Sequence, residues 1–369
     1  MMKYRLYLAC AVLIIGLIAV GASVSRTTQA SPAAPDGGDV LVNGDFEIED
    51  PKTHGFVWYK PNHFLALYWH RWWVDDGATV IPEYDDMRPS SGRWPPVSGE
   101  HGQVYFKWGY YQAGIYQVVE NLTPCVPYEF KMYARSAGNT GTVPHAKIGL
   151  DPQGTALTKG DIGMLDDADA NLVGWPPYMK WSPEQTALFT WNQLAVKAEP
   201  LGTRLTTVAY AFPTYSGPNQ PWFDTWWDAG YMTQVDFPNG RLPEPTSWAS
   251  SLLQNVQNVQ QGDQLVVTWS STVAASTQVW YYVYPYVEPI TVTVPLTYTS
   301  YFPVVIQTRT PQATLLNSLP VMLHTASIPI TGLEPGDKIE YWVLSRRPAT
   351  DACVTEGLGA FEYTIPGLP

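Results

Sequence analysis

Aromatic side chains are the most conspicuous chemical feature of the sequence, and the densest run is Tyr68-Trp69-His70-Arg71-Trp72-Trp73. Sugar rings present apolar C–H faces that stack on Trp and Tyr, while nearby polar groups bind their hydroxyls. Neighbours on a strand point to opposite faces, so one member of Trp72/Trp73 or Tyr110/Tyr111 should be exposed unless a loop covers it. Most of these rings are expected to lie in the core or to fill the space beneath loops. A few should line a shared concave surface, drawn from Trp69, Arg71, Trp72, Trp73, Tyr84, Asp86, Arg88, Trp94, Trp108, Tyr110, Tyr111 and Trp175.

Carboxylates near these aromatic residues raise the question of glycoside hydrolysis, which needs two acids at a fixed separation. The candidates are Asp75, Asp76, Glu83, Asp85, Asp86 and Glu100, but no feature marks a particular pair. The sequence also has no Gly-x-Ser-x-Gly elbow, phosphate-binding loop or dinucleotide fingerprint. We therefore expect a protein that is not an enzyme, with a glycoside hydrolase of unrecognised carboxylates as a less favoured alternative.

A second acidic cluster, Asp161 to Asn171 (DIGMLDDADAN), has the alternating spacing with which an EF-hand loop begins. Leu172 replaces the glycine that such a loop requires, and Tyr178 replaces its bidentate Glu. The pattern is therefore typical of an acidic surface loop.

Composition indicates an all-β fold, because charged residues make up only 15% of the chain whereas aromatic residues make up 14%. The 33 Pro and 29 Gly supply turns between short strands, and few segments have a helical period. The net charge of -12 argues against nucleic acid as a partner, since phosphate binding needs a basic surface.

The N-terminus has the pattern of a signal peptide, with basic residues before an apolar run from Leu6 to Val20 and small residues after it. We predict a signal peptide over residues 1–30 and a flexible leader over 31–39, and hence a secreted or cell-surface protein without a membrane partner after cleavage. An uncleaved anchor is the alternative, although the run is short for a bilayer crossing.

Two domains are predicted, over residues 40–236 and 256–369, with a Pro-rich linker over 237–255. Alternation and β-branched or aromatic clusters predict short strands in both. In the first domain they are Gly102 to Lys107, Gly114 to Val119, Tyr128 to Arg135, Ala146 to Leu150, Trp191 to Ala198 and Arg204 to Phe212. In the second they are Gln264 to Trp269, Thr277 to Tyr284, Ile290 to Thr299, Tyr301 to Thr308, Leu323 to Ile330 and Lys338 to Ser345.

Four ordered motifs in the first domain are similar to those of galactose-binding-like jelly-roll carbohydrate-binding modules. They are Leu41 to Glu47 (LVNGDFE), Tyr116 to Phe130 (YQVVENLTPCVPYEF), Trp191 to Val196 (WNQLAV) and Trp226 to Asp228 (WWD). Cys125 and Val126 replace the usual turn glycine, and Ala229 stands where a second Asp is common. The resemblance implies a jelly-roll β-sandwich that binds polysaccharide or surface glycans.

The same resemblance implies a structural calcium ion between the first strand region and the last strand. The matching positions are Asn43, Asp45, Glu47 and Asp228. In the alternative without metal, Glu47 caps a turn and Asp228 is solvated.

The second domain resembles fibronectin type III or the similar sandwich of metallophosphatases, through Val266 to Trp269 (VVTW) and the corner Thr331 to Tyr341 (TGLEPGDKIEY). The resemblance implies a second β-sandwich, in which the Tyr341 hydroxyl bonds to nearby backbone. The segment Pro289 to Leu319 is longer than an ordinary connection in that family.

Beyond the predicted signal peptide the chain has two cysteines, Cys125 and Cys353, in different predicted domains. We expect two separate buried thiols, although export to an oxidising compartment would permit a disulfide between them. The leading hypothesis is an exported, non-catalytic glycan-binding protein. The alternative is a structural or adhesive envelope protein that binds other envelope proteins or nothing.

Overall fold

The computed structural model describes residues 38–48, 56–60, 63–73, 80, 82–87, 94–155, 178–217, 222–284 and 311–367. The predictions for residues 1–37, Arg88, Trp175, the acidic run 161–171 and the strands within 290–308 fall outside these ranges. The described part of the chain is an all-β fold, as the composition predicts. It contains no helix long and apolar enough to cross a membrane.

The N-terminal part is a sandwich of two sheets. The seven-stranded sheet has the order β1-β2-β4-β5-β12-β7-β10, and the five-stranded sheet has the order β3-β6-β11-β8-β9. From β5 to β8 and from β10 to β12, successive strands alternate between the sheets, which is the jelly-roll arrangement. The strands are β1 Phe56–Lys60, β2 His63–Ala66, β3 His70–Trp73, β4 Glu83–Asp86, β5 Gln103–Trp108, β6 Ala113–Val119, β7 Tyr128–Gly138, β8 Thr142–Asp151, β9 Lys180–Trp181, β10 Asn192–Ala198, β11 Leu205–Tyr215 and β12 Trp222–Gln234.

Side-chain alternation determines what lies between the two sheets. In β10, Leu194, Val196 and Ala198 are buried while the residues between them are exposed. The core between the sheets is unusually aromatic, and it includes Phe46, Trp69, Trp73, Tyr84, Tyr105, Tyr111, Phe130, Phe223 and Trp227. Truncating one such ring to Ala costs on the order of 3–5 kcal/mol, so these residues serve first to hold the sheets together.

The C-terminal part is built around one long strand, β14. Its first half pairs with β13 and β16, and its second half pairs with β15 and β17, which in turn pairs with β18. These strands enclose a second core that contains Leu265, Trp269, Val279, Ile339 and Tyr341. The strands are β13 Leu253–Gln261, β14 Gln264–Tyr284, β15 Gln312–Ala313, β16 Asn317–Pro329, β17 Lys338–Pro348 and β18 Cys353–Thr364.

The bond predicted for Tyr341 is wrong. The Tyr341 hydroxyl accepts a hydrogen bond from Asn258 Nδ2 at 2.8 Å. This bond joins β17 to a side chain of β13 rather than to nearby backbone. Buried His324 lies between two hydroxyls, Ser271 Oγ and Thr277 Oγ1, each 2.7 Å from a ring nitrogen. Burial lowers the pKa of His324 to about 4, so the ring is neutral at physiological pH.

The two sandwiches are joined covalently, contrary to the expectation of two separate thiols. Cys125 and Cys353 form a disulfide across 228 residues of sequence. Beside it, the Arg346 guanidinium donates to Glu199 Oε2 at 2.6 and 2.9 Å. The pairing escaped the sequence argument because spacing along a chain does not reveal which turns meet in space.

Removing the disulfide by a Cys353→Ser substitution should lower the free energy of unfolding by about 2–5 kcal/mol, because the unfolded chain regains the freedom that the crosslink removes. Urea titration of the variant and of the reduced native protein measures this. Reductant should leave the Cys125→Ser/Cys353→Ser double variant unchanged. Equal stability of oxidised and reduced native protein would contradict the prediction.

Candidate functional site

Several of the predicted ligand-binding residues belong to the core instead. Trp69, Trp73, Tyr84 and Tyr111 lie between the sheets and have almost no exposed surface. The Tyr84 hydroxyl, for example, donates to the carbonyl oxygen of Trp72 at 2.8 Å. Their rings present no face to a ligand, which corrects the expectation that they line a binding surface.

Trp72 and Trp73 do point to opposite faces of β3, but both are buried. Trp72 lies on the outer side of the five-stranded sheet, where it stacks on Tyr210 with ring centres 5.3 Å apart. Arg71 is buried with its guanidinium 5.1 Å from the centre of the Trp73 ring. Asp86 is buried as well, 3.0 Å from His101 Nδ1. None of these residues lies on an open surface.

Three of the predicted aromatic residues are exposed, and two of them lie on the outer side of the seven-stranded sheet. Trp108 is 64% exposed at the end of β5, and Trp94 is 47% exposed beside β7. The Arg135 guanidinium carbon lies over the Trp94 ring, 4.0 Å from the centre of that ring. Tyr110 lies apart on the loop after β5, where its hydroxyl donates to the carbonyl oxygen of Tyr215 at 3.3 Å.

Strand register extends this surface across the sheet. Trp108 is the cross-strand partner of Trp222, and Trp226 is the cross-strand partner of Arg135. Trp226 is buried in a small apolar cluster, and the partly buried rings of Phe106, Trp191 and Trp222 pack against this cluster. We call this surface the aromatic face; its residues are Trp94, Phe106, Trp108, Trp191, Trp222 and Trp226.

Carboxylates lie among these rings. Asp224 of β12 is the cross-strand partner of Phe106, and Phe106 is in turn the partner of Glu83 in β4. Glu83 also forms an ion pair with Lys107 at 2.9 Å. Burial lowers the pKa of Arg135, which nevertheless stays charged at neutral pH because an arginine pKa starts so high. The aromatic face therefore combines apolar ring surface with hydrogen-bonding groups.

Sequence reasoning missed part of the aromatic face. In the sequence, Trp191 and Trp226 stand out only as parts of the jelly-roll motifs, and Phe106, Trp222 and Asp224 do not stand out. A usable signal was present, because residues 222, 224 and 226 alternate with the core residues Phe223 and Trp227, as residues 104, 106 and 108 alternate with Tyr105.

The positions predicted to bind calcium divide into two pairs. Asn43 is used within the fold, because its Oδ1 accepts from the Ile48 amide at 2.9 Å and its Nδ2 donates to the Leu67 carbonyl oxygen at 3.1 Å. Asp45 is exposed, and its Oδ1 accepts only a long bond of 3.4 Å from the Glu47 amide among the hydrogen bonds seen in the described residues.

Glu47 and Asp228 bind the same segment of chain. Asp228 Oδ2 accepts from the amides of Val97 at 2.5 Å and Ser98 at 3.0 Å. Glu47 Oε1 accepts from the amides of Glu100 at 2.9 Å and His101 at 2.7 Å. The two carboxylates are therefore brought together at one end of the sandwich by the chain between Val97 and His101.

Burial governs the protonation of both acids. Desolvation raises the pKa of Asp228 to about 8 and also raises the pKa of Glu47. A buried carboxylate of this kind gains stability from a proton or a cation. Within the described ranges, however, no three His, Cys, Asp or Glu side chains form a metal-binding group, so a calcium ion would depend on oxygens from backbone or water as well.

Comparison with known protein families and with curated proteins finds no match. Solved structures with a similar fold include a family 61 carbohydrate-binding module in complex with β-1,4-galactotriose (14% identity, 54% of this chain, 99% of that chain, TM-score 0.31). A second is the CBM22-1–GH10 modules of Clostridium thermocellum endo-1,4-β-D-xylanase 10B complexed with xylohexaose, with 12% identity over 45% of this chain and 26% of that chain and a TM-score of 0.27. A third is the adhesin domain of Epf from Streptococcus pyogenes, with 9% identity over 85% of this chain and 96% of that chain and a TM-score of 0.32. These similarities are too distant to carry an argument about what this chain binds.

Proposed function

We propose that this chain is an exported, non-catalytic protein that binds extracellular or cell-surface glycans on the aromatic face of its N-terminal sandwich. The observation that carries the proposal is the exposure of Trp94 and Trp108 on one side of the seven-stranded sheet, with Trp222 beside Trp108. Exposed Trp rings on a monomeric surface are unusual enough to suggest a ligand.

The surroundings of these rings suit a sugar. Stacking on Trp covers the apolar side of a pyranose, and Asp224 and Glu83 supply acceptors for its hydroxyl groups. The cluster of Trp226 supports the partly buried rings of Phe106, Trp191 and Trp222, so this part of the aromatic face is held in place before a ligand arrives and less ordering entropy is lost on binding. The proposal assigns no catalysis to the carboxylates. It treats the C-terminal sandwich as a fibronectin-like companion domain.

A structural calcium ion is part of the proposal, with Glu47 and Asp228 as its protein carboxylates. This assignment is supported by the position of buried Asp228 and half-buried Glu47, which both bind the amides of residues 97–101. Asn43 and Asp45 contribute less, because the Asn43 side chain is already engaged and Asp45 faces solvent.

Calcium should raise the melting temperature of the purified protein and chelator should lower it, because the ion compensates the buried charges of Glu47 and Asp228. Differential scanning calorimetry in calcium and in EGTA measures the shift. In Glu47→Gln the shift should shrink markedly. A native melting temperature that is indifferent to both additives would remove calcium from the proposal.

Replacing Trp108 by Ala should weaken glycan binding at least tenfold, equivalent to about 1.4 kcal/mol, because the sugar loses its stacking surface. A glycan array on the native protein identifies the ligand, and titration calorimetry then compares the variants. Tyr110→Ala is the matched control, since Tyr110 is exposed but lies outside the aromatic face. Equal losses in both variants, or none in Trp108→Ala, would argue against this surface.

A second candidate function, structural self-association, is favoured by strand β16. Within residues 38–284 and 311–367, as far as the structure describes them, β16 pairs only with β14, so no described strand occupies its other edge. Its sequence, NSLPVMLHTASIP, contains no charged residue although the chain carries a net charge of -12, and Leu323 is 79% exposed. Edges are ordinarily protected by charge, so an uncharged edge suits pairing with the same edge of a second copy.

If β16 pairs with itself, the native protein should show a concentration-dependent dimer in sedimentation equilibrium, and Leu323→Lys should make it monomeric by placing like charges together. Val259→Lys is the control, because Val259 is 50% exposed on the opposite edge strand, β13. A protein that stays monomeric at high concentration, or a dimer lost only in Val259→Lys, would reject this candidate.

A further inference from the structure

The segment Trp94 to His101 connects the aromatic face to buried Asp228 and half-buried Glu47. Its first residue, Trp94, contributes an exposed ring to the aromatic face. Its last residues give four backbone amides to Asp228 and Glu47. One stretch of eight residues therefore carries a proposed ligand contact at one end and an electrostatic anchor at the other.

The anchor fixes the backbone of this segment closely. Asp228 Oδ2 and Glu47 Oε1 each accept two amide hydrogen bonds, so four bonds of 2.5 to 3.0 Å hold the backbone between Val97 and His101. Gly99 has a φ of +59°, and a Cβ added there would lie 2.2 Å from the carboxyl carbon of Glu47. The Glu47 carboxyl group thus occupies the space that a side chain at position 99 would need.

Two consecutive prolines carry the position of the anchor to Trp94. Pro95 and Pro96 are the only residues between Trp94 and the first anchored amide, that of Val97. A proline fixes its own φ and restricts the residue before it to extended backbone. Few backbone torsions between Val97 and Trp94 are free to change, so a shift of Val97 also moves the backbone of Trp94.

We propose that Glu47 and Asp228 are positioning residues for glycan binding, which hold Trp94 over Arg135 through the Pro95-Pro96 connection without touching the ligand. This inference rests on the proposed function, because it concerns the same aromatic face. It concerns the conformation of the loop and holds whether or not calcium is bound.

The test uses the full-length protein in EGTA, so that metal binding does not enter. Glu47→Gln keeps the shape of the side chain but loses the charge that strengthens its bonds to the amides of Glu100 and His101. We expect faster hydrogen exchange at residues 97–101 and severalfold weaker binding of the glycan identified on the array. Asp228→Ala, which removes the acceptor of the Val97 and Ser98 amides, is the second variant, should Glu47→Gln fail to fold.

Asp151→Asn is the matched control. Asp151 is also a fully buried carboxylate that accepts from backbone amides, those of Gln153 at 2.8 Å and Thr155 at 2.9 Å, but it holds a different loop. It should leave both exchange at residues 97–101 and glycan affinity unchanged.

A double-mutant cycle separates positioning from a general loss of stability. If Glu47 acts through Trp94, Glu47→Gln should weaken binding in the native background but not in Trp94→Ala. Unchanged affinity despite faster exchange at 97–101 would overturn the inference and leave the proposed function standing. An equal loss in both backgrounds would overturn it too. If the native protein binds no glycan, the proposed function fails first, and the exchange data still report on the anchor.

Discussion

The N-terminal sandwich depends on the layer of aromatic rings between its two sheets. Tyr84, Tyr105, Tyr111, Phe223 and Trp227 fill this space, and neighbouring rings such as Tyr105 and Trp227 lie 6.3 Å apart. Because side chains alternate along a strand, each inward ring fixes the outward direction of its neighbours. Trp108 and Trp222 are consequently presented by strands that the core holds rigid.

The closure of the sandwich at one end adds a second, polar constraint. The strand that supplies Trp222 and Asp224 to the aromatic face also supplies Asp228, whose carboxylate is buried against the loop that follows Trp94. Apolar packing thus determines the plane of the face, and carboxylate–amide bonds determine the loop at its border. Packing and electrostatics act on different parts of one surface.

The sequence allowed much of the fold to be predicted, because local alternation is visible without knowledge of the tertiary structure. The predicted strand Tyr128 to Arg135 lies within β7, and Trp191 to Ala198 overlaps β10. The disulfide and the burial of Trp72 were not predictable, since both depend on which distant segments meet. The opposite orientations of Trp72 and Trp73 follow from alternation, but alternation does not reveal that the outer side of the five-stranded sheet is covered as well.

The bridge between Cys125 and Cys353 also has a mechanical consequence. A pull applied to one sandwich reaches the other through two covalent paths, the disulfide and the connecting chain between β12 and β13. Phe237 and Leu242 in that connection are themselves packed against Leu344 of β17. For a protein held at a surface by one sandwich, the second covalent path closes a loop of chain at the junction, so tension could not extend the connecting chain fully while the disulfide is intact.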